Sequence, residues 1–141
     1  MSEDSKVYET GYTKTIVTTV TPLFSDPFQL VLVVPIQKPI KGERNLVPIT
    51  IHISLTGSDA PIGCYVYSVM DIRRKDAQIY QTLLNNAEET LVDLGKRFGQ
   101  LVCKKFYAPC YVSLSGDLQV GNFMDYIREV FGLIEKQYEQ A

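Results

Sequence analysis

The sequence has no tryptophan, one histidine and three cysteines in 141 residues. Each scarcity narrows the chemistry. Three cysteines, Cys64, Cys103 and Cys110, with no CxxC spacing are poor material for a disulfide framework. A zinc site takes about four ligands with local pairing, and Cys64, Cys103, Cys110 and His52 are scattered along the chain. His52 has no neighbour in sequence to act as nucleophile or orienting group, so base catalysis lacks its partners. GxGxxG, P-loop and GxSxG motifs are missing, and Gly57-Ser58-Asp59 reads as a turn. Asp71 and Asp76 flank basic residues, which does not make an acid–base carboxylate pair. An excess of either charge is also missing: 14 basic and 16 acidic side chains give a net charge of −2. Nucleic-acid surfaces need a clear cationic excess. The longest apolar run, residues 30–36, is far too short to cross a bilayer. Residues 1–8 are polar and acidic, unlike a signal peptide. The expectation is a binding protein, not an enzyme, with no cofactor, no metal, no nucleic acid and no membrane partner. Unpaired thiols point to a reducing compartment, hence a cytoplasmic and nuclear location.

What is present is ordinary globular material, 45% hydrophobic. No Pro- or Gly-rich linker divides it. Residues 1–9 have little to bury and read as a flexible tail, and residues 10–141 as a single domain. Residues 12–21 are rich in Thr and Val, which suit a pleated surface. Residues 28–36 are apolar on both parities, as in a strand covered on both faces. From residue 47 to 55, Val47, Ile49, Ile51, Ile53 and Leu55 fall on one face, with Thr50, His52 and Ser54 on the other. That is the period of a strand. Residues 63–72 and 78–84 continue in extended structure.

The period then changes. Asn86 followed by Glu89 predicts a helix start, and Leu91, Leu94, Phe98, Leu101 and Val102 share one stripe. Gly95 and Gly99 each cost about 1 kcal/mol relative to Ala inside a helix. Four apart, they lie on one side, which a close packing contact would explain. Tyr107-Ala108-Pro109 ends this helix. Residues 110–114 form a strand and residues 116–121 a loop. Asn122 caps a last helix with Phe123, Ile127, Val130, Phe131, Ile134 and Tyr138 inward. The order β-β-β-β-β-α-β-α predicts an α+β fold, an antiparallel sheet of about six strands with two helices packed on one face.

Two helices cover only one side of such a sheet. The other would carry Thr50, His52, Tyr65, Tyr67 and Tyr111, a mixture of rings and hydroxyls. Tyrosine is enriched in interface cores because it buries a large area and keeps a polar tip, and the chain has nine. A face of this kind can meet a second sheet as a sandwich. The basic turn Arg73-Arg74-Lys75 and the 116–121 loop are exposed candidates for a further protein contact.

Three stretches carry a family resemblance. One is Gly63-Cys64-Tyr65-Val66-Tyr67-Ser68-Val69 with the Asp71-Ile72-Arg73-Arg74 turn. The second is the helix over residues 94–106 running into Ala108-Pro109-Cys110-Tyr111-Val112-Ser113. The third is the closing helix over residues 123–138. Together they resemble the fungal form of the proteasome assembly chaperone 4 family, from about residue 48 to the C-terminus. The resemblance implies a sheet of about six strands with two helices on one face. It implies that the open face meets a related partner, assembly chaperone 3, as a heterodimer. It further implies that the pair holds proteasome alpha subunits, chiefly the fifth, while the alpha ring is built, and leaves before the core particle matures. Such a template works only by binding an intermediate better than the finished particle. Two other readings remain: a non-catalytic adaptor subunit of another complex, and a small enzyme, which would have a concave pocket with titrating groups.

Overall fold

Strands form wherever β-branched and aromatic residues alternate with polar ones, and helices where the apolar spacing lengthens to three and four. The computed structural model describes residues 5–55, 61–71, 73, 78–116 and 118–139. In chain order these are β1 (Lys6–Thr10), β2 (Thr13–Val20), β3 (Phe28–Pro35), β4 (Ile49–Leu55), β5 (Ile62–Met70), β6 (Ile79–Asn85), α1 (Glu89–Phe106), β7 (Cys110–Ser115), a 3-10 turn (Val120–Asn122) and α2 (Phe123–Tyr138). The strands make one seven-stranded sheet in the order β1-β2-β3-β4-β7-β5-β6.

Three features correct the sequence expectation. The sheet has seven strands instead of about six, and the element order carries six strands before α1. The added strand is β1, four of whose five residues fall in the 1–9 segment expected to be a flexible tail. It pairs with β2 from Lys6↔Val17 to Thr10↔Thr13, joined by a tight turn in which Gly11 takes φ 58°. All five β1 residues are exposed, so main-chain pairing holds it without burial, and a reading based on apolar pattern does not detect it. The sheet is also mixed. β7 inserts between β4 and β5, antiparallel to β5 and parallel to β4. Since β4 and β5 run in opposite directions, a strand placed between them must be parallel to one.

The inner face carries the core. Ile16 of β2, Phe28, Leu30, Leu32 and Val34 of β3, Ile49, Ile51 and Ile53 of β4, and Val112 of β7 are all essentially inaccessible. Helix α1 lies across β5 and β7, and its two glycines explain how closely. A Cβ on Gly95 would sit 2.9 Å from Cys64 Sγ, and one on Gly99 would sit 3.2 Å from Ser68 Cβ and run into Ser68 Oγ. The helix therefore rests on β5 backbone to backbone, and glycine is required by space and not by dihedral angle. Its buried stripe includes Val92, Cys103 and Phe106, while Leu101 lies at the margin and is 36% exposed. The helix begins at Glu89 with Glu88, not Asn86, at the cap position, and no side chain caps it. Instead Asn85 Oδ1 accepts a bond from the Ala87 N–H. At the other end Tyr107 turns left-handed at φ 60° and donates its N–H to Cys103, which frees Pro109 to lead into β7.

Helix α2 covers the β2–β3 side. Tyr126 packs edge-on against Phe28 with centroids 5.3 Å apart, and Tyr138 donates its hydroxyl to Pro35 O at 2.8 Å. Asn122 occupies the expected cap position without a side-chain cap bond. Phe98 and Phe106 of α1 meet Phe123 and Phe131 of α2 edge to face, and Lys105 pairs with Glu135 at 2.7 Å. Both helices thus occupy one side of the sheet.

Candidate functional site

The other side of the sheet is organised in two rows by strand register. One row runs Val17↔Val31↔His52↔Ser113↔Tyr65 across β2, β3, β4, β7 and β5. The next runs Thr15↔Val33↔Thr50↔Tyr111↔Tyr67 across the same strands. Strand alternation decides this: the partners of these residues one position away are the buried core of the inner face. All five residues expected on an outer face, Thr50, His52, Tyr65, Tyr67 and Tyr111, therefore stand side by side on it. Each is half-buried by its neighbours alone.

The tyrosines form a cluster. Tyr67 and Tyr111 have centroids 4.7 Å apart, and Tyr65 and Tyr111 5.9 Å. Such pairs contribute about 0.5–1.5 kcal/mol beyond area burial. Burial, and then Tyr111, push the Tyr67 phenol up from its ordinary value. His52 Nδ1 lies 2.7 Å from Ser113 Oγ in a hydrogen bond. Sequence reading did not identify Ser113, Val31 or Val33 as part of this face, because their place depends on register between strands distant in the chain.

A serine beside a histidine invites a catalytic reading. The geometry does not favour it: Ser113 is only 7% exposed and the face is an open sheet surface. A cavity of about 590 Å³ lies at the corner of the face, lined by Leu46, Tyr67, Val69, Tyr80, Tyr107 and Pro109 among others. His52 is not in its lining and borders instead a smaller depression of about 260 Å³. The rim residues Asp71 and Arg73 of the larger cavity bond to each other, Arg73 Nε at 3.0 Å and Nη2 at 3.2 Å from the carboxylate. The three cysteines are unpaired and buried. Burial pushes Cys64 up to about 11 and Cys103 to about 12, and lifts Cys110 well above the ordinary thiol value. Thiols this hard to ionise are packing groups. Among the described residues there is no cluster of three or more His, Cys, Asp or Glu able to hold a metal ion, and no helix is long and apolar enough to cross a membrane.

Of the basic turn expected to contact a further protein, Arg73 is exposed and engaged by Asp71, while Arg74 and Lys75 lie outside the described residues. In the 116–121 loop Leu118 is buried, which makes that residue part of the core. The sequence reading passed over a more exposed feature. Leu23 and Phe24, between β2 and β3, are 84% and 81% exposed, and the next residue, Ser25, donates its hydroxyl to Asp125 of α2 at 2.6 Å. That bond fixes the loop to the first turn of α2, where Met124 is also exposed.

Comparison with known proteins adds to this geometry. The family model described as 20S proteasome chaperone assembly proteins 3 and 4 matches residues 13–135. A search of curated proteins gave no match. A solved structure described as the crystal structure of a novel chaperone complex for yeast 20S proteasome assembly contains a similar chain. It has a TM-score of 0.70 at 16% identity, covering 90% of this chain and 98% of that one. At that identity the likeness is one of fold.

Proposed function

From the premise that this chain belongs to the family of 20S proteasome chaperone assembly proteins 3 and 4, and so is a proteasome assembly chaperone, we propose that it works as one half of a heterodimer with a related chaperone. The observation that carries the proposal is the two-row sheet face. Thr50, His52, Tyr65, Tyr67 and Tyr111 form its centre, flanked by Val31 and Val33, and no described element covers it. A surface with aromatic bodies and hydroxyl tips is suited to burial against a second protein. Two such sheets stacked about 10 Å apart would make a sandwich with the helices outside.

Within the family, this chain takes the role of the fourth chaperone in its fungal form, on the strength of the Gly63–Val69 stretch and the Pro109-Cys110-Tyr111-Val112 entry into β7. The pair holds alpha subunits, chiefly the fifth, while the alpha ring is built. It acts without catalysis, by favouring an assembly intermediate over the finished particle. Its unpaired, buried thiols suit the reducing cytoplasm and nucleus. With the sheet face given to the partner, contact with alpha subunits falls on other surfaces. Leu23 and Phe24 are the most exposed apolar side chains described, with Arg73 the charged alternative.

The test is capture of the tagged chain from its own cell, beside a Tyr67→Arg variant. The wild type should bring down the related chaperone and alpha subunits without mature beta subunits. Tyr67→Arg should lose the chaperone. Capture of an unrelated complex by the wild type would favour the adaptor reading.

A further inference from the structure

The open face is stepped. On the β5–β7 side three tyrosines stand up as a ridge. On the β2–β4 side the residues are smaller, and Val17, Thr19, Gln29, Val31, His52 and Ser54 border a depression of about 260 Å³. A second sheet laid on this surface would span ridge and depression together. If the depression stayed empty, its walls would lose their dispersion contacts. Unfilled by protein it would hold water, bonded to Thr19, Gln29, His52 and Ser54 on its polar side and lying against Val17 and Val31 on the other, where it finds no partner. A large side chain projected from the opposing sheet would displace that water and cover the valines.

The walls specify which kind. Val17 and Val31 ask for an apolar body. His52 asks for a polar tip, because its Nδ1 is engaged by Ser113 Oγ at 2.7 Å and its Nε2 is left to meet whatever enters. An aliphatic or phenylalanine side chain would bury that nitrogen without a partner, at a cost of about 1–3 kcal/mol. Tyrosine offers both a flat apolar body and a hydroxyl.

We propose that the depression between β2, β3 and β4 is the seat of a tyrosine from the partner chaperone's sheet, with its hydroxyl hydrogen-bonded to His52 Nε2. The ridge of Tyr65, Tyr67 and Tyr111 then lies against a strip of small residues on the partner. Partner choice is set by this exchange of bulk: a sheet whose large residues oppose the ridge cannot close down. The inference rests on the heterodimer reading above and names the side chain that the partner must supply.

The experiment uses this chain co-expressed with the related chaperone of the same family from the same organism. A photo-crosslinking p-benzoylphenylalanine at position 29, on the exposed rim, should attach to a tyrosine-bearing strand of that chaperone. Val31→Phe fills the seat from this side and should weaken pairing about tenfold or more. His52→Ala should weaken it about fivefold to tenfold, and by no further factor once the crosslinked tyrosine is changed to Phe, because both changes remove one bond. Circular dichroism of each purified variant separates lost pairing from lost fold, and His52→Ala carries the test if Val31→Phe does not fold. Crosslinking only to a second copy of this chain, crosslinking to a strand without tyrosine, or unchanged affinity in folded Val31→Phe or His52→Ala overturns the proposal. Failure of the wild type to pair with the related chaperone would instead remove the heterodimer reading itself.

Discussion

His52 shows how a single side chain ties this surface to solution conditions. Burial lowers its pKa below the ordinary 6.5, and a hydrogen bond with the Ser113 backbone offsets part of the effect. A base depressed in the folded state binds fewer protons there than in the unfolded chain. Its stabilising contribution is therefore complete above about pH 6.5 and is lost as pH falls through the folded-state value. Covering the face with a partner buries the ring further and extends the same trend to pairing. We expect the heterodimer to weaken as pH is lowered from 7 to 5.5, and His52→Gln to flatten that dependence, as read by binding isotherms across the range. The cysteines give a second prediction at this scale. With thiol values raised to about 11 and 12 for Cys64 and Cys103 and higher still for Cys110, a thiol reagent at pH 7.5 should label the native chain negligibly. All three should react in denaturant, as counted by mass spectrometry. The tyrosine face was legible in the sequence because Thr50 and His52 alternate with Ile49, Ile51 and Ile53, and Tyr65 and Tyr67 with Cys64 and Val66. Ser113 as the partner of His52 was not, since the bond spans 61 residues and depends on β4 and β7 meeting in register.

At the scale of the element, the contact between α1 and β5 is held close by Gly95 and Gly99. Gly99→Ala gains helix propensity of about 1 kcal/mol but drives a methyl group into Ser68, a fully buried side chain that also accepts a bond from Gln81 at 2.9 Å. Overpacking of this kind costs about 1–3 kcal/mol, so the substitution should destabilise the fold in urea denaturation, where a glycine on an open helix surface would stabilise it. The spacing of Gly95 and Gly99 made a close contact on that side of the helix legible in the sequence. The parallel pairing of β4 with β7 was not announced, because period-two alternation reports a strand and its buried face but not its neighbours. β1 escaped for a related reason: its Lys6-Val7-Tyr8-Glu9-Thr10 sequence buries nothing, and only hydrogen bonding to β2 makes it a strand. Native-state hydrogen exchange should find the β1 amides opening far more readily than those of β4 and β7 at the centre of the sheet.

For the whole molecule, the division of labour follows from which surfaces the chain covers for itself. The helices take one side of the sheet, and no described element covers the other, which the proposed function makes the partner site. On that proposal, client contact lies off that face. Replacing Leu23 and Phe24 together by Ser should reduce capture of alpha subunits while leaving the related chaperone bound. The central claim is that the tyrosine face is where the second chaperone sits. Oxidative footprinting of Tyr65, Tyr67 and Tyr111, in the chain alone and in the co-expressed heterodimer, tests it most directly. The account predicts that all three react in the isolated chain and are strongly protected in the complex, with exposed Tyr12 unchanged as an internal control. A complex that forms while these three tyrosines remain as reactive as before would contradict it.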